Sequence, residues 1–258
     1  MGKRNMHYLA IADTDIGNVK QTNQDSVLIK HGETEKGEIL LAVICDGMGG
    51  LEKGELASAT VIRTFSKWFD EELPHELEKL DLQVIAGKWD FILKDLNLKI
   101  SEYGQSQNVR MGTTFTGILF VEDKYIVVHV GDTRLYHLGS YLRQMTTDQT
   151  FIAREISKGT MTPEQAHTDK RRNMLLQCVG ASAKIEPEII MGTIESGAYM
   201  LCSDGFRHEI SDSEIYESLN PVNLVNRDAM HSNVKYLIEK VKARQEKDNI
   251  SVILVKVN

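Results

Sequence analysis

Cysteine is scarce in this chain: among 258 residues there are three, Cys45, Cys178 and Cys202. They are odd in number, widely spaced and without a C-x-x-C pair, so they do not predict a disulfide framework. Unpaired thiols are typical of the reducing cytoplasm. We therefore expect a cytoplasmic protein whose cysteines are buried structural residues.

Long apolar runs and basic blocks are also missing. No stretch approaches the roughly 18 consecutive apolar residues of a transmembrane helix, and the apolar stretch within residues 1–12 is too short for a secretory signal. The net charge is −7, and no cluster of lysine and arginine offsets it locally. These absences predict no membrane segment and exclude a general nucleic-acid binder.

Alternating and helical periodicities divide the chain into strands and helices. Strands are predicted at 6–12, 26–31, 38–45, 113–121, 124–130, 198–203 and 250–257, with a hairpin at 134–143. Helices are predicted at 54–73, 81–103 and 226–246, and short helical pieces within the polar segment 146–180. The hairpin-like grouping predicts an α+β fold with antiparallel sheets, in which the very apolar last strand is central.

Five aspartates stand at the ends of predicted strands. Strands end close to Asp46 (A-V-I-C-D-G), Asp132 (V-H-V-G-D) and Asp204 (L-C-S-D-G), whereas Asp25 and Asp248 shortly precede strands. Carboxylates that gather without cations repel one another, which raises their pKa values. All-oxygen ligands favour the hard cations Mg²⁺ and Mn²⁺ over zinc, and a water between two such ions is a good nucleophile.

A simpler interpretation of each aspartate remains open. Asp-Gly pairs are most often turns, Asp132 can begin the turn before Arg134, and Asp248 can cap the junction between a helix and a strand. No single aspartate therefore predicts a metal site. The five together predict one, on condition that the strand ends converge. Gly47 would then allow a tight turn after Asp46 and expose its carbonyl as a further ligand.

Other site motifs do not fit the sequence. The glycines after Asp46 lack the G-K-[ST] of a phosphate-binding loop, and Glu52 stands where G-x-G-x-x-G needs its third glycine. Residues 13–24 lack the glycine and the glutamate of a calcium loop. None of the eight histidines forms a ligand pair. We expect His129 to be a buried structural residue and His137 to lie at the surface.

Taken together, the motifs resemble the metal-dependent protein phosphatases of the type 2C (PPM) family over nearly the whole chain. The matching segments are G-N-V-K-Q-T-N-Q-D-S (17–26), D-G-M-G-G (46–50), M-G-T-T (111–114), V-G-D-T-R-L-Y (130–136), R-N-M-L-L-Q-C-V-G (172–180), S-D-G (203–205) and D-N-I-S (248–251). The D-G-M-G-G form resembles the bacterial branch. The resemblance implies a single phosphatase domain over residues 1–258, folded as a four-layer αββα sandwich of two antiparallel β-sheets flanked by helix pairs.

The resemblance further implies a binuclear Mn²⁺ or Mg²⁺ site at one end of the sandwich. Asp46 would bridge the two ions and Gly47 would give its carbonyl oxygen to one of them. Asp204 and Asp248 would hold the other ion. These three aspartates would thus be the catalytic residues.

Two further aspartates complete the implied site. Asp25 would act through a metal-bound water, and Asp132 with Asp204 would form a third, weaker metal site. The implied mechanism is direct attack of a metal-bridging hydroxide on the phosphorus of phosphoserine or phosphothreonine, with no phosphoenzyme. The metals would neutralise the charge that develops on the phosphoryl oxygens.

Three positions depart from the family pattern. Lys20 stands where an arginine usually binds the substrate phosphate, and a lysine supplies charge without a bidentate fork. We therefore expect weaker phosphate binding at Lys20, or else a surface lysine without a role. Met48 stands where many eukaryotic members carry a histidine, so a metal-bound water would have to protonate the leaving group. Residues 169–171 also differ from the family pattern. They lie in the segment of about 146–176 that resembles the family's flap, so this difference bears on substrate preference.

The function implied by the resemblance is that of a serine/threonine protein phosphatase. Its partners would be phosphorylated proteins and an opposing serine/threonine kinase, and it would be a monomer. Two alternatives stay open. One is a catalytically weak phosphoprotein-binding module of the same fold, which Lys20 favours and the five intact aspartates oppose. The other is a phosphatase of small phosphoesters.

Overall fold

The computed structural model describes residues 6–48 and 53–257. In these ranges the strands are β1 (Tyr8–Asp15), β2 (Ser26–Thr34), β3 (Gly37–Cys45), β4 (Phe115–Val121), β5 (Lys124–Val130), β6 (Arg134–Leu138), β7 (Leu142–Gln144), β8 (Glu188–Thr193), β9 (Gly197–Cys202) and β10 (Ile250–Val257). The helices are α1 (Gly54–Glu71), α2 (Leu73–Glu78), α3 (Leu82–Ser106), α4 (Phe151–Ser157), α5 (Pro163–Thr168), α6 (Asp204–Arg207), α7 (Asp212–Leu219) and α8 (Arg227–Ala243). The last two glycines of the D-G-M-G-G motif, Gly49 and Gly50, lie outside the described residues.

The strands form two sheets of five strands each. Sheet A has the order β1-β10-β9-β6-β7, and sheet B has the order β2-β3-β4-β5-β8. Each pair of neighbouring strands is antiparallel. The predicted α+β class is therefore confirmed, and β10 lies inside its sheet, as its apolar sequence predicted.

The apolar run of β3 has a structural reason. Successive side chains of a strand point to opposite faces of the sheet. Leu41 and Val43 pack into the core beneath the helices, whereas Leu40, Ala42 and Ile44 pack into the core between the two sheets. Both faces of the strand are thus buried, which is why the sequence does not alternate with polar residues.

Helix pairs cover the outer faces of both sheets. On sheet B, Phe65 of α1 and Trp89 of α3 are buried with their ring centroids 5.1 Å apart. On sheet A, Val234 and Leu237 of α8 pack with Ile215 of α7 in a second core. Burying each of these large side chains stabilises the fold by about 1.5–3 kcal/mol. The predicted αββα sandwich is therefore confirmed.

Some local predictions were wrong or incomplete. The sequence prediction misses β8, an edge strand whose residues alternate between partly buried and exposed, because its pairing with β5 is set by distant residues. His137 is buried rather than at the surface, with its ring 4.9 Å from that of Tyr199. His129 is buried as expected, and so are the three cysteines. Within residues 6–48 and 53–257, no helix has the length and apolar character needed to cross a bilayer.

Candidate metal centre

Sheet topology brings the five strand-end aspartates to one end of the sandwich. Asp25 precedes β2 and Asp46 follows β3, and these antiparallel neighbours meet at the same edge. Asp204 follows β9 and Asp248 precedes β10, which are likewise antiparallel neighbours. Asp132 follows β5, which runs in the same direction as β3 because β4 lies between them. The convergence on which the cluster depends is thus a consequence of strand order.

A cavity of about 760 Å³ opens at this end of the sandwich. The aspartates that line it are Asp46, Asp132, Asp204 and Asp248. Lys20 and Arg110 add positive charge to its wall, and Met48, Leu175 and Leu176 add apolar surface. The cavity therefore combines an acidic floor with a mixed cationic and apolar rim, next to the end of the 146–176 segment.

Burial and mutual repulsion disfavour the charged forms of Asp25, Asp46 and Asp132. Burial, reinforced by the charges of Asp204 and Asp248, raises the pKa of Asp25 to about 7. Burial and the charge of Asp204 raise the pKa of Asp132 to about 7. Burial and the charge of Asp25 raise the pKa of Asp46 well above its usual range. The cluster is therefore short of positive charge.

Two buried carboxylate oxygens, Asp25 Oδ2 and Asp204 Oδ1, have no hydrogen-bond partner among the described residues. A buried acceptor without a partner is costly, and a divalent cation would compensate it. The available ligands, the carboxylate oxygens of the aspartates, are those that Mg²⁺ and Mn²⁺ prefer. Even so, no three His, Cys, Asp or Glu side chains in the described part of the chain form a preformed metal-binding set.

Lys20 supplies a cation that already faces the cluster. Its Nζ lies 2.7 Å from Oδ1 of Asp248. Burial opposes the charged ammonium, but contact with Asp248 and the charges of Asp46 and Asp204 outweigh it and raise the pKa of Lys20. An ion that takes Asp248 as a ligand has to compete with this lysine.

The M-G-T-T segment (111–114) holds the backbone of Asp46. The Thr113 hydroxyl and the Thr114 N–H both donate to the carbonyl of Asp46 at 2.9 Å, and the Thr114 hydroxyl accepts its N–H at 2.9 Å. A Cβ on Gly47 would lie 2.5 Å from the carbonyl oxygen of Gln24, so this position admits only glycine. The sequence analysis identified the M-G-T-T segment and Gly47 as motif residues, and these tertiary contacts explain why those residue types are needed there.

Asn249 fastens the loop that carries Lys20. Its side-chain oxygen accepts the N–H of Gln24 at 2.9 Å, and its amide nitrogen donates to the carbonyls of Ile16 at 3.0 Å and Thr22 at 3.2 Å. Residues 16–24 are therefore tied to the start of β10, directly beside Asp248. This is the role of the asparagine in the D-N-I-S motif.

Sequence reasoning missed three charged residues beside the cluster. Arg207 donates to the carbonyl of Asp132 at 3.2 Å, and its Nη2 lies 3.9 Å from Oδ2 of the same residue. The ring of His208 lies 3.6 Å from the carboxylates of both Asp204 and Glu246. The spacing offered a signal for the contact with Asp204, since His208 comes one helical turn after it. The contact with Glu246 depends on the packing of α6 against the end of α8.

The sequence and the fold both match known proteins. The protein phosphatase 2C family matches residues 17–254. The serine/threonine protein phosphatase PstP of Mycobacterium tuberculosis is 36% identical over 211 residues, which make up 81% of this chain and 38% of that protein. The chain thus spans about two-fifths of the length of that relative.

Solved structures agree with the sequence match. The S. agalactiae serine/threonine phosphatase superposes with a TM-score of 0.85 and 28% identity, covering 98% of this chain and 100% of that one. The catalytic domain of PstP in complex with two manganese ions superposes with a TM-score of 0.78 and 30% identity, covering 98% and 99%. The chain therefore belongs to the protein phosphatase 2C family of enzymes, as a member of its bacterial type.

Proposed function

We propose that the protein is a metal-dependent protein phosphatase that hydrolyses phosphoserine and phosphothreonine. The observation that carries this proposal is the group of aspartates at one end of the sandwich. Burial and neighbouring charges raise the pKa values of Asp25, Asp46 and Asp132, and one buried oxygen each of Asp25 and Asp204 lacks a partner among the described residues. Such a cluster needs cations, and it lies in a cavity wide enough for a phosphorylated side chain. Family membership supports the same activity.

The proposed metal ligands are those that the family pattern implies. Asp46 and the Gly47 carbonyl would hold one Mn²⁺ or Mg²⁺ ion, and Asp46, Asp204 and Asp248 would hold a second. When bound, these ions would supply an activated water as the nucleophile and neutralise charge on the phosphoryl oxygens. The two manganese ions of the PstP catalytic domain support this assignment.

Two other aspartates have outer or weaker roles. Asp25, which raises the pKa of Asp46 and does not line the cavity, would act through a metal-bound water. Asp132 with Asp204 would form a third, weaker ion site, and the guanidinium of Arg207 beside Asp132 is consistent with low affinity there.

Residues of the chain itself would bind and orient the substrate. Lys20 would bind the substrate phosphate as a point charge, without the bidentate geometry of an arginine. Met48 has no proton to donate, so the departing serine or threonine oxygen would take its proton from water. The segment 146–176 would act as a flap that shapes access, because Leu175 and Leu176 at its end line the cavity.

The biological setting is proposed on the same basis. The substrates would be phosphorylated proteins, opposed by a serine/threonine kinase, and the protein would be a cytoplasmic monomer. Residues 1–258 would form a single phosphatase domain. The relatives of this chain named as serine/threonine phosphatases support phosphoprotein substrates.

A second candidate function is a phosphoprotein-binding module with little activity. One observation favours it: Lys20 contacts Asp248 at 2.7 Å and so competes with a metal ion for that ligand. In such a module the lysine would hold the aspartates together in place of the metal. Substrate could still enter the cavity and bind Arg110 at its rim.

Hydrolysis assays distinguish these functions. We expect the purified protein to hydrolyse an aryl phosphate and a phosphothreonine peptide with Mn²⁺, to stop on addition of chelator, and to lose turnover in Asp204→Asn. Asp70→Asn, which changes an exposed aspartate paired with Lys30, is the matched control. Absence of metal-dependent turnover together with binding of the phosphothreonine peptide would support the binding module, and a strong preference for small phosphoesters over the peptide would indicate a small-molecule phosphatase.

A further inference from the structure

Glu246 shapes the loop that presents Asp248. Its side chain is 7% exposed, and its Oε1 accepts the backbone N–H of Lys247 at 2.7 Å and of Asp248 at 2.9 Å. The preceding residue, Gln245, has a φ of 68°, a left-handed conformation that is uncommon for a residue with a side chain. The chain therefore leaves α8 through a constrained turn that the Glu246 carboxylate stabilises, and Asp248 follows at once.

His208 connects this turn to Asp204. Its Nδ1 lies 3.6 Å from Oε2 of Glu246, and its Nε2 lies 3.6 Å from Oδ2 of Asp204. The backbone N–H of His208 also donates to the carbonyl of Asp204 at 3.1 Å, within the single turn of α6. One imidazole ring thus spans two carboxylates from distant parts of the chain, and neither His208 nor Glu246 lines the cavity.

The two oxygens of Asp204 have different surroundings. Oδ2 faces the ring of His208, whereas Oδ1 is buried and has no partner among the described residues. The contact with His208 therefore involves the oxygen of Asp204 other than the buried one that lacks a partner. Glu246 acts on Asp248 through the backbone, because its two contacts with N–H groups constrain the loop from which that side chain leaves.

We propose that His208 and Glu246 are a positioning pair that holds Asp204 and Asp248 in the orientation required to bind one shared divalent cation. This inference rests on the proposed metal-dependent function and extends it to two residues outside the cavity. Residues that orient metal ligands typically change metal affinity by about 10- to 100-fold when they are removed. Neither residue contacts the substrate, so both act through the aspartates.

Metal binding tests the proposal directly. Titration calorimetry with Mn²⁺ on the metal-free protein should show two ions in the wild type, and one of them should bind about 10- to 100-fold more weakly in His208→Ala and in Glu246→Gln. Glu246→Gln keeps an oxygen for the two backbone N–H groups, so this variant retains the turn while losing the carboxylate beside His208. At saturating Mn²⁺ the kcat should recover most of its wild-type value, because only affinity is lost.

Three further measurements separate positioning from simple stabilisation. His208→Gln, which keeps a side-chain donor, should restore part of the Mn²⁺ affinity, and the double variant should bind no more weakly than the weaker single variant. His231→Ala is the matched control, because His231 forms another histidine–carboxylate contact, at 2.7 Å with Asp13, outside the cavity. This control should lower the melting temperature of the metal-free protein while leaving Mn²⁺ affinity unchanged.

Opposite results have distinct meanings. If His208→Ala and Glu246→Gln bind Mn²⁺ as tightly as the wild type while their metal-free melting temperatures fall, the pair is only structural and the inference is wrong. If the wild-type protein itself binds no Mn²⁺, the proposed function fails together with this inference. A wild type that binds two ions, beside variants that each weaken one, supports both.

Discussion

The ammonium of Lys20 lies 2.7 Å from the carboxylate of Asp248. The two residues are 228 positions apart in a chain of 258, and Asn249 brings them together by binding the loop of residues 16–24. Lys20 therefore neutralises a proposed metal ligand in the metal-free protein and stands beside the place where a phosphate would bind. A metal ion that takes over Asp248 would release the lysine for the substrate.

Lys20 should affect substrate binding more than turnover. We expect Lys20→Ala to raise the KM for a phosphothreonine peptide by about 10- to 100-fold, which corresponds to the loss of about 1.5–3 kcal/mol from a hydrogen bond to a charged group. Lys20→Arg should lower the KM by about fivefold, because the guanidinium adds a second charge-assisted hydrogen bond. Steady-state kinetics at saturating Mn²⁺ measure both effects.

Lys30→Ala is the control for this series. Lys30 also pairs with an aspartate at 2.7 Å, but its partner is Asp70 and the pair does not line the cavity. Its removal should leave the KM unchanged. Unaltered kinetics in Lys20→Arg and Lys20→Ala would mean that this lysine has no contact with the substrate.

Neutralising Asp46 should stabilise the metal-free protein and abolish its response to metal. Burial and the neighbouring Asp25 disfavour the charged form of Asp46, so Asp46→Asn removes an unfavourable charge. We expect the metal-free melting temperature to rise by about 2–4 °C for each 1 kcal/mol relieved. Mn²⁺ at about 100 times its Kd should stabilise the wild type by about 2.7 kcal/mol and leave Asp46→Asn unaffected. Calorimetric melting of both proteins, with metal and with chelator, tests this; a metal-induced shift in Asp46→Asn would contradict it.

Arg207 should weaken the third ion site. Its guanidinium lies beside Asp132, donates to the carbonyl of that residue and also lies 3.6 Å from Asp148. A fixed cation at this position competes with a divalent ion. We expect Arg207→Ala to tighten binding of the third Mn²⁺ by about tenfold, the effect of about 1.4 kcal/mol, while the first two ions bind as before. Titration calorimetry resolves the stoichiometry, and an unchanged third site would show that Arg207 does not compete with the ion.

We expect Arg207→Ala to destabilise the fold only slightly, because Asp148 retains another arginine partner. Arg134 binds Asp148 through two nitrogens, each at 2.7 Å, so this carboxylate keeps a partner when Arg207 is removed. Arg244→Ala removes another arginine that forms two contacts with one carboxylate, that of Glu214, and serves as the control. It should leave Mn²⁺ binding unchanged.

His129 should make the fold less stable in mild acid. Burial lowers the pKa of His129 below 6.5, and the charges of Glu188 and Asp148 offset this only in part. Between that lowered value and 6.5 the unfolded chain takes up a proton that the folded protein does not. The free energy of unfolding therefore falls as the pH drops through this window, by at most about 1.4 kcal/mol per pH unit for the one group.

A comparison of two proteins isolates this effect. Urea unfolding from about pH 7.5 to pH 5 should show a steeper fall in unfolding free energy for the wild type than for His129→Gln. The raised pKa values of Asp25 and Asp132 act in the opposite direction, but they contribute equally to both proteins and cancel in the difference. Identical slopes would mean that His129 titrates alike in the folded and unfolded states.

The sequence was sufficient to predict the fold class and the position of most of the aspartates at the ends of strands. Local patterns carried that information, because a strand buried on both faces is continuously apolar and Asp46 directly follows one. Local patterns failed for β8, whose pairing with β5 depends on residues about sixty positions away in the chain. They failed for His137 as well, because Tyr199 from another strand covers it.

The amino-acid sequence by itself determined which chemistry is available: carboxylates beside glycines at strand ends, a lysine in place of an arginine, and a methionine without a proton to give. Only the tertiary structure decided which charges face one another, namely Lys20 against Asp248, Arg207 against Asp132, and His208 between Asp204 and Glu246. The physical reason is distance. Hydrophobic periodicity and turn signals can be read from residues close in the chain, whereas ion pairs and hydrogen bonds between distant residues depend on separation in space, which strand order and packing establish.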